Sequence, residues 1–550
     1  MGNLFSCFKK IRHVEVDSFT NKNPITHYLQ DSSSSYTHAD LKKLSNIYPG
    51  IYSSICPSYI PVEDVYKISK TKDTLFATVA DGHHGSECAH FTISILHDVL
   101  GYLLTHMTPV KALESSHLIL DEFILNLPFY LNLYEFKNHY NLEMKINALD
   151  TPLRMGTTKS HTSKLNPVLN MDMNAMGIAL SGATALTLMI TTEDKIRKLY
   201  VANVGDSSAI LIRQHNSSDF SAYKLTKSHT AKSAKEYERL TREHPDEEKT
   251  IACINSYGEM RLLGVLIPTR SFGDAILKWD IKQSRRVNKS LDKHTSVYSH
   301  NIKRSNVTPH LENSMISPPY VTAKPEIYIR DIENSVKLQD RFAILATDGI
   351  WDKISPELAA YLVINAISKR SKEKELIKVQ SLKSLPDLFN KDKLHPCLLD
   401  TNPATAILRY CLGASDEQVT IELNYTFPHS KQKRDDCTII VVDLQSQDYF
   451  KSNSELFYGD KTEIHSVGHD YQRNVIEKVI DMAHPINAIQ HFEKVHSEQS
   501  LSPIQGIINN SLTGNNIQQL TKTRSKLDVC MEIPNVDMNR GEYIVNSLFA

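Results

Sequence analysis

Short apolar runs alternate with amphipathic stretches between residues 50 and 445. Apolar runs that are rich in Val, Ile, Leu and aromatic residues and that end at Gly or Asp are typical of β-strands. The pattern predicts strands at Leu75–Ala80, Tyr200–Val204, Ala209–Ile212, Phe342–Thr347 and Thr438–Asp443. A helix is expected after the first strand, because apolar residues recur there at helical spacing. The recurring residues are Ile93, Leu96, Leu100 and Leu103.

Two local signals predict how these elements begin and turn. Gly205 and Asp206 separate two apolar runs, and we expect a β-hairpin that turns at this pair. Ser233 and Glu236 have the S-x-x-E spacing of a capping box, which predicts the start of a helix.

Polar segments flank the region of strands and helices. We divide the chain into an N-terminal acylated or flexible segment (1–45), a folded domain (46–445) and a polar C-terminal extension (446–550). Within the domain, residues 101–178 form a long, partly helical insertion, and in the extension only residues 471–482 have a helical pattern.

The charge and cysteine content exclude several classes of protein. Lys plus Arg is 62 and Asp plus Glu is 63, so the net charge of −1 offers no general attraction to nucleic acid. No apolar run approaches the ~18–20 residues that span a bilayer. Eight cysteines in 550 residues, without CxxC pairs, are too sparse for a disulfide framework and favour a reducing compartment.

The first residues fit a lipid-anchor motif. Met1-Gly2 with Ser6 matches M-G-x-x-x-[ST], which predicts myristoylation of Gly2. One myristoyl chain binds membranes weakly, so palmitoylation of Cys7 or the nearby cations would supply the second signal. These cations are Lys9, Lys10 and Arg12. The motif predicts a location on the cytoplasmic face of a membrane; an untethered, disordered terminus is the alternative.

Several aspartates stand at the ends or turns of the predicted strands. Asp81-Gly82 and Asp348-Gly349 follow two of them, Asp435 precedes a third, and Asp206 lies in the predicted hairpin. Converging carboxylates repel one another unless a cation neutralises them. All-oxygen ligand sets suit Mg²⁺ or Mn²⁺ rather than zinc. A single Asp-Gly after a strand is more often an ordinary turn, so the metal site depends on the whole set.

The order of these motifs resembles a known family. The chain contains VEDVY (62–66), FATVADGHHG (76–85), SGATAL (181–186), YVANVGDSSAIL (200–211), RSFGD (270–274), FAILATDGIWD (342–352) and RDDCTIIVV (434–442). This series resembles the metal-dependent Ser/Thr protein phosphatases of the 2C type, the PPM family. The segments HPDEEKT (244–250), RLLGVLIPTRSFGDAILKW (261–279) and PPYVTAKPEI (318–327) are most similar to pyruvate dehydrogenase phosphatase catalytic subunits.

The resemblance implies a fold and a reaction. The fold is α+β: a four-layer αββα sandwich of two antiparallel β-sheets flanked by helices, here with long inserts and the polar extension. The reaction is hydrolysis of phosphoserine and phosphothreonine by a water that bridges two Mg²⁺ or Mn²⁺ ions, and a phosphoprotein is the substrate. Residues 46–445 would be the phosphatase domain.

The resemblance also implies roles for individual residues. Asp81 would bridge the two metals and the carbonyl of Gly82 would bind one of them. Asp348 and Asp435 would complete the ligand set, and Glu63 would act through metal-bound water. For a third, weaker metal, the matching positions are Asp206 and Asp352. His83 would be the general acid that protonates the leaving group.

The chain departs from the family pattern near this site. Tyr59 stands where many members have a phosphate-binding Arg, and His84 replaces the usual Gly after the family histidine. Asp436 replaces an Asn and is expected to add negative charge near the metals. In RSFGD, Arg270 has either a phosphate-binding or a buried structural role, and Asp274 is expected to satisfy backbone donors in a turn.

Two alternatives stay open at this point. One is a pseudophosphatase that uses the same fold as a membrane-tethered scaffold. The other is an active pyruvate dehydrogenase phosphatase in the mitochondrial matrix, which the subfamily likeness favours and the Gly2/Cys7 terminus opposes.

Overall fold

The computed structural model describes residues 38–59, 62–71, 73–130, 173–216, 219–255, 258–284, 315–335, 337–371 and 394–446, with short strands at 378–379, 457–458 and 543–545. Gly2, Cys7 and the predicted helix at 471–482 lie outside the described residues. No helix within the described ranges is long and apolar enough to cross a membrane.

The strands follow one another along the whole domain. They are β1 (Ser45–Tyr48), β2 (Ile51–Cys56), β3 (Val65–Lys70), β4 (Leu75–His83), β5 (Gly182–Glu193), β6 (Ile196–Val204), β7 (Ser208–Asn216), β8 (Asp219–Lys224), β9 (Ala252–Ile254), β10 (Met260–Leu262), β11 (Phe272–Gly273), β12 (Glu326–Asp331), β13 (Gln339–Ala346), β14 (Lys378–Val379), β15 (Cys437–Asp443), β16 (Phe457–Tyr458) and β17 (Tyr543–Val545).

The α-helices come between groups of strands. They are α1 (Glu87–Leu103), α2 (Pro109–Tyr130), α3 (Met173–Leu180), α4 (Ala234–Glu243), α5 (Ala275–Lys278), α6 (Asp348–Trp351), α7 (Pro356–Ser371), α8 (Pro403–Cys411), α9 (Asp416–Leu423) and α10 (His429–Lys433). Shorter 3-10 helices occupy His38–Leu44, Pro245–Glu247 and Cys397–Leu399.

Two large sheets are built from these strands. The first has the order β1-β2-β15-β13-β7-β8-β14, and the second has the order β16-β3-β4-β5-β6-β12-β17, with β11 paired to β5. All pairs are antiparallel except β8 with β14. Strands β16 and β17, which come from the C-terminal extension, pair with β3 and β12 at the two edges of the second sheet.

Alternating side chains place a core between the sheets and one outside each sheet. Leu75 and Val79 of β4 pack in the same cluster as Leu345 of β13, so this cluster lies between the two sheets. Phe76 points the other way, into a cluster with helices α1, α2 and α3. Ile344 packs against α7 and α8 on the outer face of the first sheet. The predicted α+β, four-layer sandwich is therefore confirmed.

The predicted strands and the helix after the first strand are present, but the hairpin at Gly205 is wrong. β6 pairs with β5 and β12 in the second sheet, whereas β7 pairs with β8 and β13 in the first. The turn therefore carries the chain from one sheet to the other. Gly205 has φ +113°, a conformation that only glycine adopts easily, and a Cβ there would lie 2.4 Å from the side chain of Thr184.

The capping box is also wrong, although α4 begins where it was expected. Ser233 is the N-cap residue, but its side chain makes no capping hydrogen bond. Glu236 instead accepts hydrogen bonds from Arg270 Nη2 at 2.6 Å and Arg239 Nη2 at 3.1 Å. Two guanidinium partners bind a carboxylate more strongly than a neutral backbone N–H does.

Candidate active site

The pairing of the second sheet brings three predicted site residues to one edge. The end of β4 lies beside the starts of β3 and β5, and the start of β5 lies beside the end of β6. Asp81 lies within β4, opposite Thr184, rather than after the strand as its sequence position suggested. Glu63 just precedes β3 and Asp206 just follows β6, so both stand at the same edge as Asp81.

The first sheet brings three more residues to the same end of the sandwich. The end of β13 lies beside the starts of β7 and β15. Asp348 and Asp352 follow β13, and Asp435 precedes β15. Asp206 lies between β6 of the second sheet and β7 of the first, so it is close to both edges.

These carboxylates are near enough to one another to raise each other's pKa. Burial raises the pKa of Asp81 well above its ordinary value, and the charges of Asp64, Asp348, Asp435 and Asp206 raise it further. Such a group of ionised carboxylates is unfavourable without a cation.

Asp348 has the features of a metal ligand. Burial, followed by the charges of Asp206, Asp435 and Asp352, raises its pKa to about 7. Its Oδ1 is buried and has no hydrogen-bond partner among the described residues. A buried carboxylate oxygen without a partner, in a set of oxygen donors, fits a hard divalent cation such as Mg²⁺ or Mn²⁺. The residues present therefore suit the metal that the sequence predicts.

Glu63 is held against the end of β4, which contains Gly82. Its Oε1 accepts a hydrogen bond from Gly85 N at 2.7 Å, and its carbonyl accepts one from Gly82 N at 3.1 Å. A Cβ on Gly82 would lie 2.7 Å from the Glu63 carbonyl oxygen, so glycine permits this close approach. Burial and the charge of Asp436 raise the pKa of Glu63 to about 7.

Asp436 holds the segment before β3 and also adds negative charge there. Its Oδ1 accepts hydrogen bonds from the backbone amides of Ser58 and Tyr59, and its Oδ2 accepts from those of Glu63 and Asp64. Its charge raises the pKa of Glu63 and of Asp64, so the structure adds a backbone-binding role to the expected electrostatic one. Both its oxygens are used by backbone donors, and an Asn amide has only one acceptor oxygen to offer.

Asp64 belongs to the cluster although the sequence analysis passed over it. Its Oδ2 accepts a hydrogen bond from Thr347 Oγ1 at 2.8 Å, and its Oδ1 is buried without a partner among the described residues. It is also the first of the charges that raise the pKa of Asp81. Its position directly after Glu63 is the sequence signal that could have identified it as a site residue.

His83 is held by Asp274, which corrects the expected role of this aspartate. His83 Nε2 donates to Asp274 Oδ2 at 2.7 Å, and Ser271 Oγ donates to the same oxygen. Burial would lower the pKa of His83, but the Asp274 carboxylate raises it above its ordinary value. A Cβ on Gly182 would lie only 2.0 Å from His83 Nε2, so Gly182 leaves the space that the pair occupies.

Arg270 has the structural role of the two considered. Its guanidinium binds Glu236 and also donates to the Lys324 carbonyl at 2.9 Å. Although burial opposes ionisation of Glu236, this contact lowers its pKa to about 2. Arg270 is therefore committed to a buried ion pair.

Lys431 lies near Tyr59, which occupies the position of the phosphate-binding Arg in the family pattern. Tyr59 lies close to Asp435, Glu63 and Asp81, whose charges add to burial in raising its pKa. Lys431 Nζ lies 4.4 Å from the centre of the Tyr59 ring. The positive charge of Lys431 also lowers the pKa of Glu63 and of Asp435, which opposes the effect of burial.

The middle part of the chain matches a known protein family. A family model described as "Protein phosphatase 2C" matches residues 135–383. That range contains Asp206, Asp274 and Asp348 and leaves Asp81 and Asp435 outside.

Known proteins resemble this chain over a longer range. The mitochondrial pyruvate dehydrogenase (acetyl-transferring) phosphatase 2 of Homo sapiens is 28% identical over 497 residues, which cover 82% of this chain and 88% of that protein. The corresponding phosphatase 1 of Bos taurus is 27% identical and covers 74% of this chain and 79% of that protein. A protein phosphatase 2C homologue of Schizosaccharomyces pombe is 35% identical over 48% of this chain and 53% of its own length.

Solved structures of low sequence identity also match. A sex-determining protein of C. elegans is 15% identical, with a TM-score of 0.39, and covers 74% of this chain and 67% of that chain. A serine-threonine phosphatase 2C from Toxoplasma gondii is 14% identical, with a TM-score of 0.34, and covers 72% and 96%.

Proposed function

This chain is a metal-dependent protein serine/threonine phosphatase of the 2C family, and from that premise we propose that its carboxylate cluster holds two Mg²⁺ or Mn²⁺ ions. The observation that carries the proposal is the convergence of Asp81, Asp206, Asp348 and Asp435, together with the buried, unpartnered oxygen of Asp348 within the described residues. The pseudophosphatase alternative is not supported, since every aspartate of the motif set is present.

The ligands are divided between the two sheets. Asp81 would be the ligand common to both ions, the Gly82 carbonyl would contribute to one of them, and Asp348 and Asp435 would complete the set. Asp206 and Asp352 are the candidates for a third, weaker ion, and Glu63 acts through water. When bound, the ions supply Lewis-acid activation of the attacking water and neutralise charge on the phosphoryl group.

His83 supplies the proton that the leaving group needs. A serine or threonine alkoxide is a poor leaving group, so protonation during P–O cleavage lowers the barrier. The Asp274 carboxylate favours the protonated imidazole and fixes the ring through the 2.7 Å hydrogen bond. Asp274 is thus a positioning residue for His83.

Metal removal tests the proposed function directly. Hydrolysis of phosphoserine and phosphothreonine peptides should stop in excess EDTA and return when Mg²⁺ or Mn²⁺ is added, because the ligands are all oxygens. Inhibitors of other Ser/Thr phosphatase families should have no effect. The measurement is phosphate release from a phosphopeptide panel, with the same buffer lacking chelator as control. Full activity in excess chelator would refute the proposal.

We further assign the phosphate contact of the missing Arg to Lys431. Its ammonium group lies over the Tyr59 ring, 4.4 Å from the ring centre. Its charge lowers the pKa of the nearby Glu63 and Asp435 carboxyl groups. The contact with the aromatic face holds a flexible side chain at the edge of the site. An ammonium group at that edge can bind the phosphate dianion as a point charge.

Removing this cation should weaken phosphosubstrate binding. Lys431→Met is expected to raise KM about tenfold or more, the worth of a hydrogen bond to a charged group, with a smaller change in kcat. Lys431→Arg should restore most of the affinity. The matched control is Lys433→Met on the same helix, whose ammonium lies over Tyr425 at 5.9 Å. Equal effects of both Met variants would exclude a specific phosphate contact.

Membrane attachment is a separate proposal. Where Met1 is the initiator residue, Gly2 is myristoylated and Cys7 palmitoylated, which would tether the phosphatase to the cytoplasmic face of a membrane. The mitochondrial names of the human and bovine relatives favour the matrix alternative, with pyruvate dehydrogenase as substrate.

Fractionation of acylation variants separates the two locations. Gly2→Ala should release the protein to the soluble fraction, and Cys7→Ser should leave a weaker, partly reversible association, because each buried methylene contributes about 0.8 kcal/mol. Catalysis in solution should not change in either variant. Identical fractionation of wild type and Gly2→Ala, or a cleaved N-terminus inside mitochondria, would favour the matrix.

A further inference from the structure

A second group of potential metal ligands includes His83, the residue two positions after Asp81. His83, His84 and Asp274 each offer a ligand atom, and these atoms all lie within 4.8 Å of one another. It is the single such group of three or more within the described part of the chain. We propose that these three side chains bind a zinc-class transition-metal ion that inhibits the enzyme by occupying His83. Binding itself is independent of the proposed function, while the inhibition rests on it.

The geometry is already close to a coordination site. His83 Nε2 and Asp274 Oδ2 are 2.7 Å apart, and the rings of His83 and His84 meet edge to face with centroids 5.4 Å apart. Ligands of a tetrahedral zinc ion, with bonds near 2.0–2.1 Å, stand about 3.3 Å from one another. To reach this spacing, the His83–Asp274 pair must open slightly and the more distant ligand atoms must move inward.

The backbone holds His84 in place. Its φ of +59° lies in the left-handed region, which non-glycine residues adopt uncommonly. This chain places an imidazole at this strained position. The left-handed turn directs His84 to the same side as the pair formed by His83 and Asp274.

The ligand chemistry distinguishes this site from the carboxylate cluster. Imidazole nitrogen suits Zn²⁺, Co²⁺, Ni²⁺ and Cu²⁺, whereas Mg²⁺ prefers oxygen. Three protein ligands leave a fourth position for water. Ligation requires neutral imidazole, so the proton that His83 donates to Asp274 passes to solvent when the ion binds. The His83 side chain is 21% exposed, which gives an ion access from solvent.

An ion at this site would block the proton donor and leave the carboxylate cluster intact. A ligated His83 is a neutral imidazole, and its remaining N–H is a far weaker acid than the imidazolium that would protonate a serine or threonine leaving group. An aryl phosphate, whose leaving group needs little protonation, should therefore be inhibited less than a phosphopeptide. This substrate difference separates the site from zinc that displaces Mg²⁺ at the carboxylates, which would inhibit both substrates alike.

Zinc and cobalt binding to the full chain tests the proposal. In saturating Mg²⁺, equilibrium dialysis should find one bound Zn²⁺ per chain, and Co²⁺ should give the visible absorption of a tetrahedral nitrogen–oxygen site. In His84→Gly the zinc affinity and the inhibition should both weaken about tenfold or more, since even outer-shell changes cost 10–100-fold. Activity without zinc should persist in this variant. His106→Gly, which removes an exposed histidine elsewhere, is the control.

The possible results of this experiment distinguish the zinc site from the phosphatase function. Glycine accepts the left-handed backbone, so His84→Gly should fold; His84→Asn is the second variant, because Asn also tolerates that conformation. Equal zinc affinity in wild type and both variants would place the ion elsewhere and overturn the site. Absence of zinc binding by an enzyme with normal Mg²⁺-dependent activity would also overturn it, with the phosphatase function unaffected.

Discussion

Asp81→Asn is expected to abolish phosphatase turnover and to leave the fold intact. The amide has the shape of the carboxylate, so β4 keeps its pairing with β3 and β5. It lacks the charge that balances two divalent ions, and the metal contribution is worth several kcal/mol. A loss of kcat of about 10³-fold or more follows.

The same substitution should not destabilise the metal-free protein. Burial and neighbouring carboxylates raise the pKa of Asp81 above its unfolded value. Stability from its neutral form is therefore present at low pH and is lost as pH rises through the raised pKa. At neutral pH without metal, either burying the charge or taking up a proton costs stability relative to the exposed carboxylate of the unfolded chain, and asparagine avoids this cost.

Thermal unfolding with and without Mg²⁺ measures both effects. Wild type should be stabilised by Mg²⁺, and Asp81→Asn should lose most of that stabilisation while equalling or exceeding wild type in EDTA. Asp443→Asn, at the opposite end of β15 from Asp435, is the control and should keep normal turnover. Wild-type turnover by Asp81→Asn at saturating Mg²⁺ would contradict the ligand assignment.

The regular elements of the fold could be predicted because their signals are local. The run Leu75–Ala80 alternates between the inter-sheet core and the helix layer, and the structure extends this strand to His83. The four-layer arrangement came from resemblance rather than from periodicity. Strand partners such as β13 and β15 are separated by about 90 residues, so no short window of sequence contains their pairing.

The error at Gly205 shows the limit of local signals. A Gly-Asp turn between two apolar runs reads the same whether the strands pair or separate. The outcome depends on partners from distant parts of the chain, because β12 pairs with β6 and β13 pairs with β7. Glu236 is similar: the capping signal was local, but Arg270 competed for the carboxylate from 34 residues away.

The sequence indicated which residues belong to the site better than it indicated which of them contact one another. The aspartates near strand ends were visible because Gly follows two of them. The contacts of Asp274 and Lys431 were not predicted, because their partners, His83 and Tyr59, lie 191 and more than 370 residues away. A role that consists of positioning another side chain leaves little trace in sequence.

Gly182→Ala is expected to reduce hydrolysis of phosphoserine peptides almost as much as His83→Ala. The new Cβ would lie 2.0 Å from His83 Nε2 and 2.4 Å from Asp274 Oδ2, so the two side chains cannot keep their hydrogen bond. Asp274 is buried and also bound by Ser271, so His83 is the partner that moves. Loss of a positioned general acid lowers kcat by ~10²–10⁴.

The leaving group distinguishes a misplaced acid from a damaged fold. An aryl phosphate should lose much less activity than a phosphoserine peptide in both variants, because its leaving group needs little protonation. In the double variant, Gly182→Ala should add little to the loss from His83→Ala, since both remove the same proton transfer. The control is Gly101→Ala in α1, where a Cβ meets nothing within 4 Å and activity should be unchanged. Additive losses, or equal losses on both substrates, would show that Gly182 supports the sheet rather than the His83–Asp274 pair.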